Sequence, residues 1–222
     1  MFKALYLQNN PAFSCQVESI SQDVLKQEEG DTLVKIHHST LNYKDALAIT
    51  NAGKIARRFP MIPGIDFSGE VIETSDPNLK PGDRVFMNGL GLSETHYGGL
   101  SELAYVKGEQ LLKVPENYST FDVMAFGTAG YTAALCVNRL LDHGITADGG
   151  EILVSGATGG VGMVAIMLLS KLGFKVAALT SKVEEETFFR LVGADRIEDA
   201  SAFYEAGGML QKSRFQAAVD VL

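Results

Sequence analysis

Three glycines that follow a short apolar strand carry the clearest chemical meaning in this sequence. Gly156, Gly159 and Gly162 come directly after an apolar run at 152–154, and a long apolar helix is predicted over 161–172. A dinucleotide pyrophosphate needs backbone N–H donors, little side-chain bulk and the positive end of a helix. The glycines alone would also suit a flexible loop, but the flanking strand and helix favour a dinucleotide site.

Each glycine of this turn has a separate predicted role. Gly156 permits the tight turn, Gly159 lets the backbone approach a phosphate, and Gly162 allows close packing of helix and strand. The predicted cofactor-binding residues of the turn are Gly156, Thr158, Gly159, Gly160, Val161 and Gly162.

The end of the next predicted strand bears on the choice of cofactor. Proteins that bind NAD usually place Asp or Glu there to bond the ribose 2′-hydroxyl. This sequence has Thr180, Ser181 and Lys182 instead, two hydroxyls and a cation that suit a 2′-phosphate. We therefore expect NADP(H). The alternative for Ser181 is a capping box with Glu184, in which the serine begins a helix over 184–192.

A polar cluster lies in the N-terminal half, at 42–45. Asn42 and Asp45 could cap the helix predicted over 43–50, which is a purely structural role. The functional alternative places Asn42, Tyr43 and Asp45 at a catalytic site. The sequence leaves both possibilities open.

Composition excludes several classes of protein. The 222 residues carry a formal net charge of -8, from 19 basic and 27 acidic side chains, which argues against nucleic-acid binding. The sequence shows no apolar run of the ~20 residues that a membrane span needs. Cys15 and Cys136 form no CxxC pair, and their scarcity fits a reducing, cytoplasmic environment.

The chain divides into two predicted domains, residues 1–120 and 121–222. In the first, short apolar runs alternate with glycine and proline turns, which predicts a mostly β domain, a partly open barrel. Its strands are expected at 2–7, 32–38, 67–74, 84–87 and 100–107.

The second domain alternates strands with helices, which predicts βαβ crossovers and a doubly wound parallel sheet of the Rossmann type. Helices are expected at 120–126, 129–141, 161–172 and 184–192, and strands at 151–155, 175–180, 195–198 and 217–221. The last of these strands is expected to lie beside the first. It would then form an apolar edge, and we interpret the chain as a fragment of a longer protein.

Several segments together resemble a known family. They are residues 41–50, 60–67, 127–133 and 155–162. A β-rich domain comes first in the chain and a Rossmann domain follows it. This order and these segments resemble the medium-chain dehydrogenase/reductase superfamily. The resemblance is greater still to the YhdH/YhfP-type quinone oxidoreductases, the group that includes NADPH-dependent acryloyl-CoA reductases.

The resemblance carries its own expectations. It implies an α/β fold with an N-terminal GroES-like, partly open barrel and a Rossmann domain that is truncated in this chain. It also implies that Tyr43 and Thr128 contact the nicotinamide, that Arg196 assists at the 2′-phosphate, and that the full-length protein forms a homodimer.

No zinc site is expected. Zinc-dependent members of the superfamily carry a metal-binding His-Glu pair in the segment that reads Gly64-Ile65-Asp66-Phe67 in this sequence. Four histidines are scattered, and neither cysteine lies at ligand spacing from one of them. Without a Lewis acid to polarise an alcohol, reduction of an activated C=C bond becomes the better hypothesis.

The sequence supports three functions. The first is NADPH-dependent reduction of acryloyl-CoA to propanoyl-CoA, with hydride added to the β-carbon of the enoyl thioester. The second is reduction of a quinone or a simple enone. The third, from another class, is a non-catalytic NADPH-binding protein with a structural or sensing role.

Overall fold

The computed structural model describes residues 1–26, 28–203 and 213–221. Backbone contacts divide the chain into two compact units, Met1–Thr128 and Ala129–Leu222. The predicted boundary at 120/121 lies eight residues before this division. Each unit is described by itself below.

The first unit is built mainly from antiparallel strands, as predicted. A two-stranded sheet pairs β1 with β2, and a five-stranded sheet has the order β6-β3-β4-β5-β7. The strands are β1 Phe2–Asn9, β2 Phe13–Ile20, β3 Thr32–Ser39, β4 Asp66–Thr74, β5 Arg84–Asn88, β6 Leu103–Val106 and β7 Leu112–Lys113.

Three of these strands differ from the expectation, among them the short β7, which the sequence did not predict. The sequence did not predict β2, which has few buried side chains and leaves Val17 70% exposed. The strand predicted over 100–107 begins only at Leu103, because Leu100 and Ser101 bind elsewhere. Leu100 donates its N–H to Pro63, and Ser101 forms a bridge to Ala4 of β1.

Short helices connect the strands of the first unit. They are α1 Gln22–Leu25 and α2 Tyr43–Ile49, and a single 3-10 turn covers Gly108–Gln110. The apolar core lies in two clusters, one around Leu7, Met61 and Ile62 and the other around Val34 and Phe67. The helix predicted over 43–50 is confirmed as α2, which ends one residue earlier, at Ile49.

The next helix, α3 Thr120–Asp142, changes direction at a glycine. Gly127 has φ 50 and ψ -156, which are not helical angles, and they separate residues 120–126 from 128–142. The two predicted helical segments are confirmed. Among the described helices, α3 alone has the length and hydropathy of a membrane span. The break leaves each half shorter than the ~20 residues that crossing a bilayer needs.

The second unit has the predicted alternation of strands and helices. Its elements are β8 Glu151–Val154, α4 Gly160–Lys171, β9 Lys175–Thr180, α5 Glu186–Leu191, β10 Arg196–Asp199, α6 Ala200–Phe203 and β11 Ala217–Val219. The strands form one parallel sheet in the order β10-β9-β8-β11. The last strand lies beside the first, as expected, although it is shorter than predicted and Leu222 lies outside the described residues.

One apolar core holds the sheet of the second unit to its helices. Ile152 and Val154 of β8 pack in the same cluster as Ile166 and Leu169 of α4, and all four are fully buried. Because β8 and α4 flank the glycine turn, this packing fixes both ends of the turn.

Candidate functional site

The glycine turn has the predicted strand–turn–helix structure. Gly156 has φ 54, a left-handed conformation that favours glycine. A Cβ atom at Gly162 would lie 2.4 Å from the carbonyl oxygen of Gly156, so that any larger residue at 162 would displace the turn. Both glycines are therefore required by the backbone itself.

The beginning of α4 offers N–H donors to an anion. The first hydrogen bond of the helix runs from Met163 N to Gly159 O at 2.9 Å. The N–H groups of Gly160, Val161 and Gly162 precede it and have no acceptor within the helix, as in the first turn of any α-helix. Thr158, Gly159 and Gly160 are exposed. The positive end of the helix dipole adds to the attraction of an anion.

Ser155 attaches the beginning of the turn to the last strand. Its N–H donates to Val219 O at 3.0 Å, and its hydroxyl donates to the Asp220 carboxylate. Val221 N in turn donates to the Ser155 hydroxyl at 3.0 Å. β11 therefore helps to fix the turn as well as extending the sheet.

The structure brings the end of β9 beside the glycine turn. Ala157 N lies 3.4 Å from Leu179 O, one residue before Thr180. Thr180 is buried, and its hydroxyl accepts a hydrogen bond from Lys182 N at 3.0 Å. Ser181 and Lys182 are exposed. A hydroxyl and an ammonium group are thus placed next to a predicted phosphate site.

The capping box predicted at Ser181 and Glu184 is wrong. A 3-10 turn occupies Val183–Glu185, and α5 begins only at Glu186, with Glu185 at its N-cap. Glu184 is therefore outside the α-helix. Ser181 has no role in capping α5, which removes the structural alternative that the sequence had left open for it.

Arg196 is not brought together with Lys182. It is the first residue of β10 and pairs with Ala177, three positions before the carboxyl end of the parallel sheet. Three residues of a strand span about 10 Å. Its guanidinium group binds Glu151 at 2.6 Å and also binds Glu198. These hydrogen bonds raise the pKa of Arg196. The structure thus gives Arg196 an ion-pair role within the sheet.

In the first unit a buried carboxylate, that of Asp66, organises the polar cluster. One oxygen accepts hydrogen bonds from the Thr40 hydroxyl at 2.6 Å, the Asn42 amide at 3.1 Å and Thr128 N at 2.9 Å. The other oxygen accepts from the Asn88 amide at 2.9 Å and from the Thr128 hydroxyl. Asp66 therefore holds together four residues from three separate parts of the chain.

These hydrogen bonds keep Asp66 ionised. Burial by itself raises the pKa of this carboxyl group, since Asp66 is 0% exposed. Donation from Thr128, Thr40 and Asn88 outweighs burial and lowers its pKa below the usual value. A carboxylate with so many donors is stable in the charged form, even without a cation beside it.

Asp45 is buried too, but its environment raises its pKa, whereas that of Asp66 is lowered. Burial raises the pKa of Asp45, and the charge of Asp66 raises it further, against hydrogen bonds from Asn42 and Ile65. Asp45 Oδ2 accepts from Asn42 N at 2.8 Å, which is half of a capping box at the start of α2. Its Oδ1 accepts from Ile65 N at 3.0 Å. This geometry favours the capping role for Asp45.

Asn42 and Tyr43 differ sharply in exposure. The Asn42 amide donates to Thr40 and Asp66, and lies 3.3 Å from Asp45, so it bridges two buried carboxylates. Tyr43, the next residue, is 79% exposed. Of the predicted catalytic residues, Tyr43 is thus the one whose side chain is open to a ligand.

Gly127 is required where the cluster meets α3. A Cβ atom there would lie 3.0 Å from Asp66 Oδ2 and 3.0 Å from the Thr40 methyl group, and its φ of 50 already disfavours other residues. The break in α3 turns Thr128 N toward Asp66 instead of into the helix. The sequence had suggested Thr128 by resemblance only, without this reason.

Sequence reasoning missed the most connected residue of the site. Asp66 was considered only as the residue that replaces a metal ligand, and Thr40, Asn88 and Gly127 were not singled out. A buried strand that begins with Asp was the available signal, because a carboxylate in such a position needs partners. Among the described residues, no group of three His, Cys, Asp or Glu side chains could hold a metal ion.

We expect Asp66→Asn to lower the free energy of unfolding by about 2 kcal/mol or more at pH 7, because a neutral amide cannot satisfy these donors. Since folding lowers the pKa of Asp66, its stabilising effect is present above the unfolded pKa of about 3.9 and is lost as the pH falls through the folded value. The difference between wild type and variant should therefore shrink below about pH 4. Urea unfolding from pH 7 to pH 3 measures it.

Asp142→Asn, at the exposed end of α3, is the matched control, with an expected change within about 0.5 kcal/mol. Equal effects of the two substitutions at pH 7 would contradict the role given to Asp66.

Comparison with known proteins now adds to this geometry. The family model for the alcohol dehydrogenase GroES-like domain matches residues 28–116. The probable acrylyl-CoA reductase AcuI of Escherichia coli (strain K12) is 45% identical over 200 residues, which cover 90% of this chain and 61% of that protein. The putative quinone oxidoreductase YhfP of Bacillus subtilis is 39% identical over 222 residues, 99% of this chain and 67% of that protein.

Solved structures agree with these relatives. The YhdH oxidoreductase of Salmonella enterica, determined in complex with NADP, has a TM-score of 0.93 and 44% identity, covering 99% of this chain and 67% of that one. The B. subtilis YhfP structure, with NAD bound, has a TM-score of 0.91 and 38% identity, covering 98% of this chain and 66% of that one.

The chain spans 61% of the length of the E. coli relative. Its similarity nevertheless runs through both units, from the GroES-like region to the glycine turn. It has a GroES-like domain and a Rossmann-type parallel sheet, and it belongs to the medium-chain dehydrogenase/reductase superfamily, with the YhdH/YhfP-type oxidoreductases as its relatives.

Proposed function

We propose that this protein is an NADPH-dependent, zinc-independent oxidoreductase that reduces an activated C=C bond, most specifically that of acryloyl-CoA. The observation that carries the proposal is the glycine turn at the start of α4, with Ser181 and Lys182 exposed beside it. The relatives, a probable acrylyl-CoA reductase and a putative quinone oxidoreductase, suggest the class of substrate.

The turn fits the pyrophosphate of a dinucleotide. Gly162 has no room for a side chain, and the N–H groups at 160–162 lack acceptors within their helix. We propose that Gly156, Thr158, Gly159, Gly160, Val161 and Gly162 surround the pyrophosphate. This cradle offers backbone donors and a helix dipole, and both act on any dinucleotide phosphate.

The 2′-phosphate decides between NADPH and NADH. β9 ends in Thr180 without an acidic residue, and Lys182 supplies a cation next to the Ser181 hydroxyl. Relatives have been solved with NADP and with NAD, so the family alone leaves the choice open. The charge at Lys182 favours NADPH. Arg196 is left out of this proposal, because Glu151 and Glu198 already bind it.

On the nicotinamide side we propose contacts from Tyr43 and Thr128, as the family resemblance implies. Both residues are positioned by the Asp66 carboxylate. Asp66 accepts hydrogen bonds from Thr128 N and from the Asn42 amide, and Tyr43 follows Asn42 in the chain. Asn42 and Asp45, predicted as catalytic residues, are proposed to orient Tyr43. Both residues form the cap of α2, and Asn42 also binds Asp66.

Bound NADPH would supply a hydride to the β-carbon, while a proton adds to the α-carbon, so that the C=C bond is reduced and the cofactor oxidised. The exposed Tyr43 hydroxyl, or a water molecule beside it, is the proposed proton source. Zinc independence is supported by Asp66, whose two oxygens already accept hydrogen bonds from four residues and are thus occupied.

Three finer parts of the proposal rest on the resemblance and the composition. We propose a homodimer when the protein is at full length, a cytoplasmic location, and no nucleic-acid or membrane partner. The net charge of -8 supports the absence of a nucleic-acid partner.

The substrate assignment is tested by NADPH oxidation with acryloyl-CoA, 1,4-benzoquinone and methyl vinyl ketone, on the protein at its natural length. We expect kcat/KM for acryloyl-CoA to exceed that for the other two acceptors by at least about tenfold. Equal values would favour the general quinone or enone reductase. Tight NADPH binding without oxidation across the series would instead support a non-catalytic role.

Lys182→Glu tests the cofactor assignment. The substitution places a negative charge where the 2′-phosphate is proposed to bind, so the affinity for NADPH should fall by at least about tenfold relative to that for NADH. Fluorescence titration with each reduced cofactor measures the ratio. Lys171→Glu, at the end of α4, is the matched control and should leave the ratio unchanged. An unaltered ratio in Lys182→Glu would refute the assignment.

Tyr43→Phe tests the nicotinamide side. We expect kcat to fall by about 10²-fold or more if the hydroxyl donates the proton, with NADPH affinity within a few-fold of wild type. Steady-state kinetics and cofactor titration measure the two effects. Tyr118→Phe, another exposed tyrosine of the first unit, is the control. Unchanged kcat in Tyr43→Phe would show that the proton comes from elsewhere.

A further inference from the structure

The segment that follows β5 has an unusual backbone. Gly89, Leu90, Gly91 and Ser93 all have positive φ, at 68, 51, 89 and 70. Two of them are not glycine, and a left-handed conformation is unfavourable for a residue with a Cβ atom. Ser93 adds a second cost, because its hydroxyl is buried without a hydrogen-bond partner in the described part of the chain. Such strain is kept where the surrounding structure or a function requires it.

Both ends of this segment are attached to the candidate site. Asn88, just before it, donates to the Asp66 carboxylate at 2.9 Å, and Gly89 N donates to Ile65 O at 2.7 Å. Near its end, Glu94 binds the Lys44 ammonium at 2.7 Å, and Lys44 is the residue after Tyr43. The segment is therefore attached at one end to the Asp66 cluster and at the other end to the start of α2.

Leu90 has no core packing that would explain its conformation. It is 57% exposed, whereas its near neighbour Leu92 is 1% exposed and belongs to the core. Leu92 can anchor the segment, but an exposed leucine at φ 51 gains little from burial within the unit. A glycine would have less strain at that position and would expose less apolar surface.

We infer that Leu90 is a specificity-determining residue, whose side chain contacts the acyl chain of the substrate and limits its length. The inference rests on the proposed function. The Asp66 carboxylate binds both Asn42, beside Tyr43, and Asn88, two residues before Leu90. The strained segment that carries this apolar side chain and the residue proposed to act at the C=C bond are thus both connected to Asp66, the first through Asn88 and the second through Asn42. The substrate class it favours is a short, unbranched enoyl thioester.

The test compares Leu90→Gly and Leu90→Ala with wild type on acryloyl-CoA and crotonoyl-CoA, at the natural length of the protein. In wild type one extra methyl group at the β-carbon should lower kcat/KM by about 10-fold or more. Both variants should reduce that preference at least threefold, chiefly by raising kcat/KM for crotonoyl-CoA. Leu90→Gly should also keep Tm at or above the wild-type value, because glycine accepts a positive φ without strain.

Leu112→Ala provides the control, since Leu112 is similarly exposed at 60% but lies on the edge strand β7. The Leu112→Ala variant should prefer acryloyl-CoA over crotonoyl-CoA by the same factor as wild type. A wild-type preference that persists in both Leu90 variants overturns the inference and leaves the proposed function intact. Wild-type protein that oxidises NADPH with neither thioester overturns the proposed function, and the assignment of Leu90 with it.

Discussion

A buried negative charge, that of Asp66, is the constraint on which the first unit depends. A carboxylate removed from water is costly unless hydrogen bonds replace its hydration. Thr40, Asn42, Asn88 and Thr128 replace it, and they come from three separate segments, since Thr40 and Asn42 both lie between β3 and α2. Satisfying one charge therefore fixes the loop after β3, the start of α2, the end of β5 and the break in α3 at the same time.

In the second unit the polar groups that need partners are backbone N–H groups instead of a side-chain carboxylate. The turn between β8 and α4 has N–H groups without acceptors in the helix, and a bound phosphate is the partner that would satisfy them. Gly162 packs so closely against Gly156 that the start of α4 has no room for a side chain there. The Asp66 carboxylate already has its hydrogen-bond partners, whereas the N–H groups of the turn have none within their helix. A bound cofactor would therefore add hydrogen-bond partners at the turn.

Local sequence patterns predicted the elements well and the contacts between distant residues poorly. The glycine turn, the parallel sheet and the helix at 43–49 follow from neighbouring residues and were predicted. The partners of Asp66 are as far as 62 positions away, so no local pattern reveals them. Strand β2 was missed because exposed side chains such as Val17 weaken its alternation. The capping box remained an alternative role for Ser181 because the sequence does not distinguish the 3-10 turn after β9 from the start of an α-helix.

The same geometry narrows the choice of proton source in the proposed reaction. Asp45 and Asp66 are both 0% exposed, and their oxygens already accept hydrogen bonds that hold the fold. Asp66 is held in its charged form and has no proton to give, and Asp45 is committed to capping α2. Tyr43 is open to solvent, and its hydroxyl has no hydrogen-bond partner in the part of the chain that the structure describes. In the proposed reaction the carboxylates would therefore supply position, and the proton would come from the exposed phenol or from water beside it.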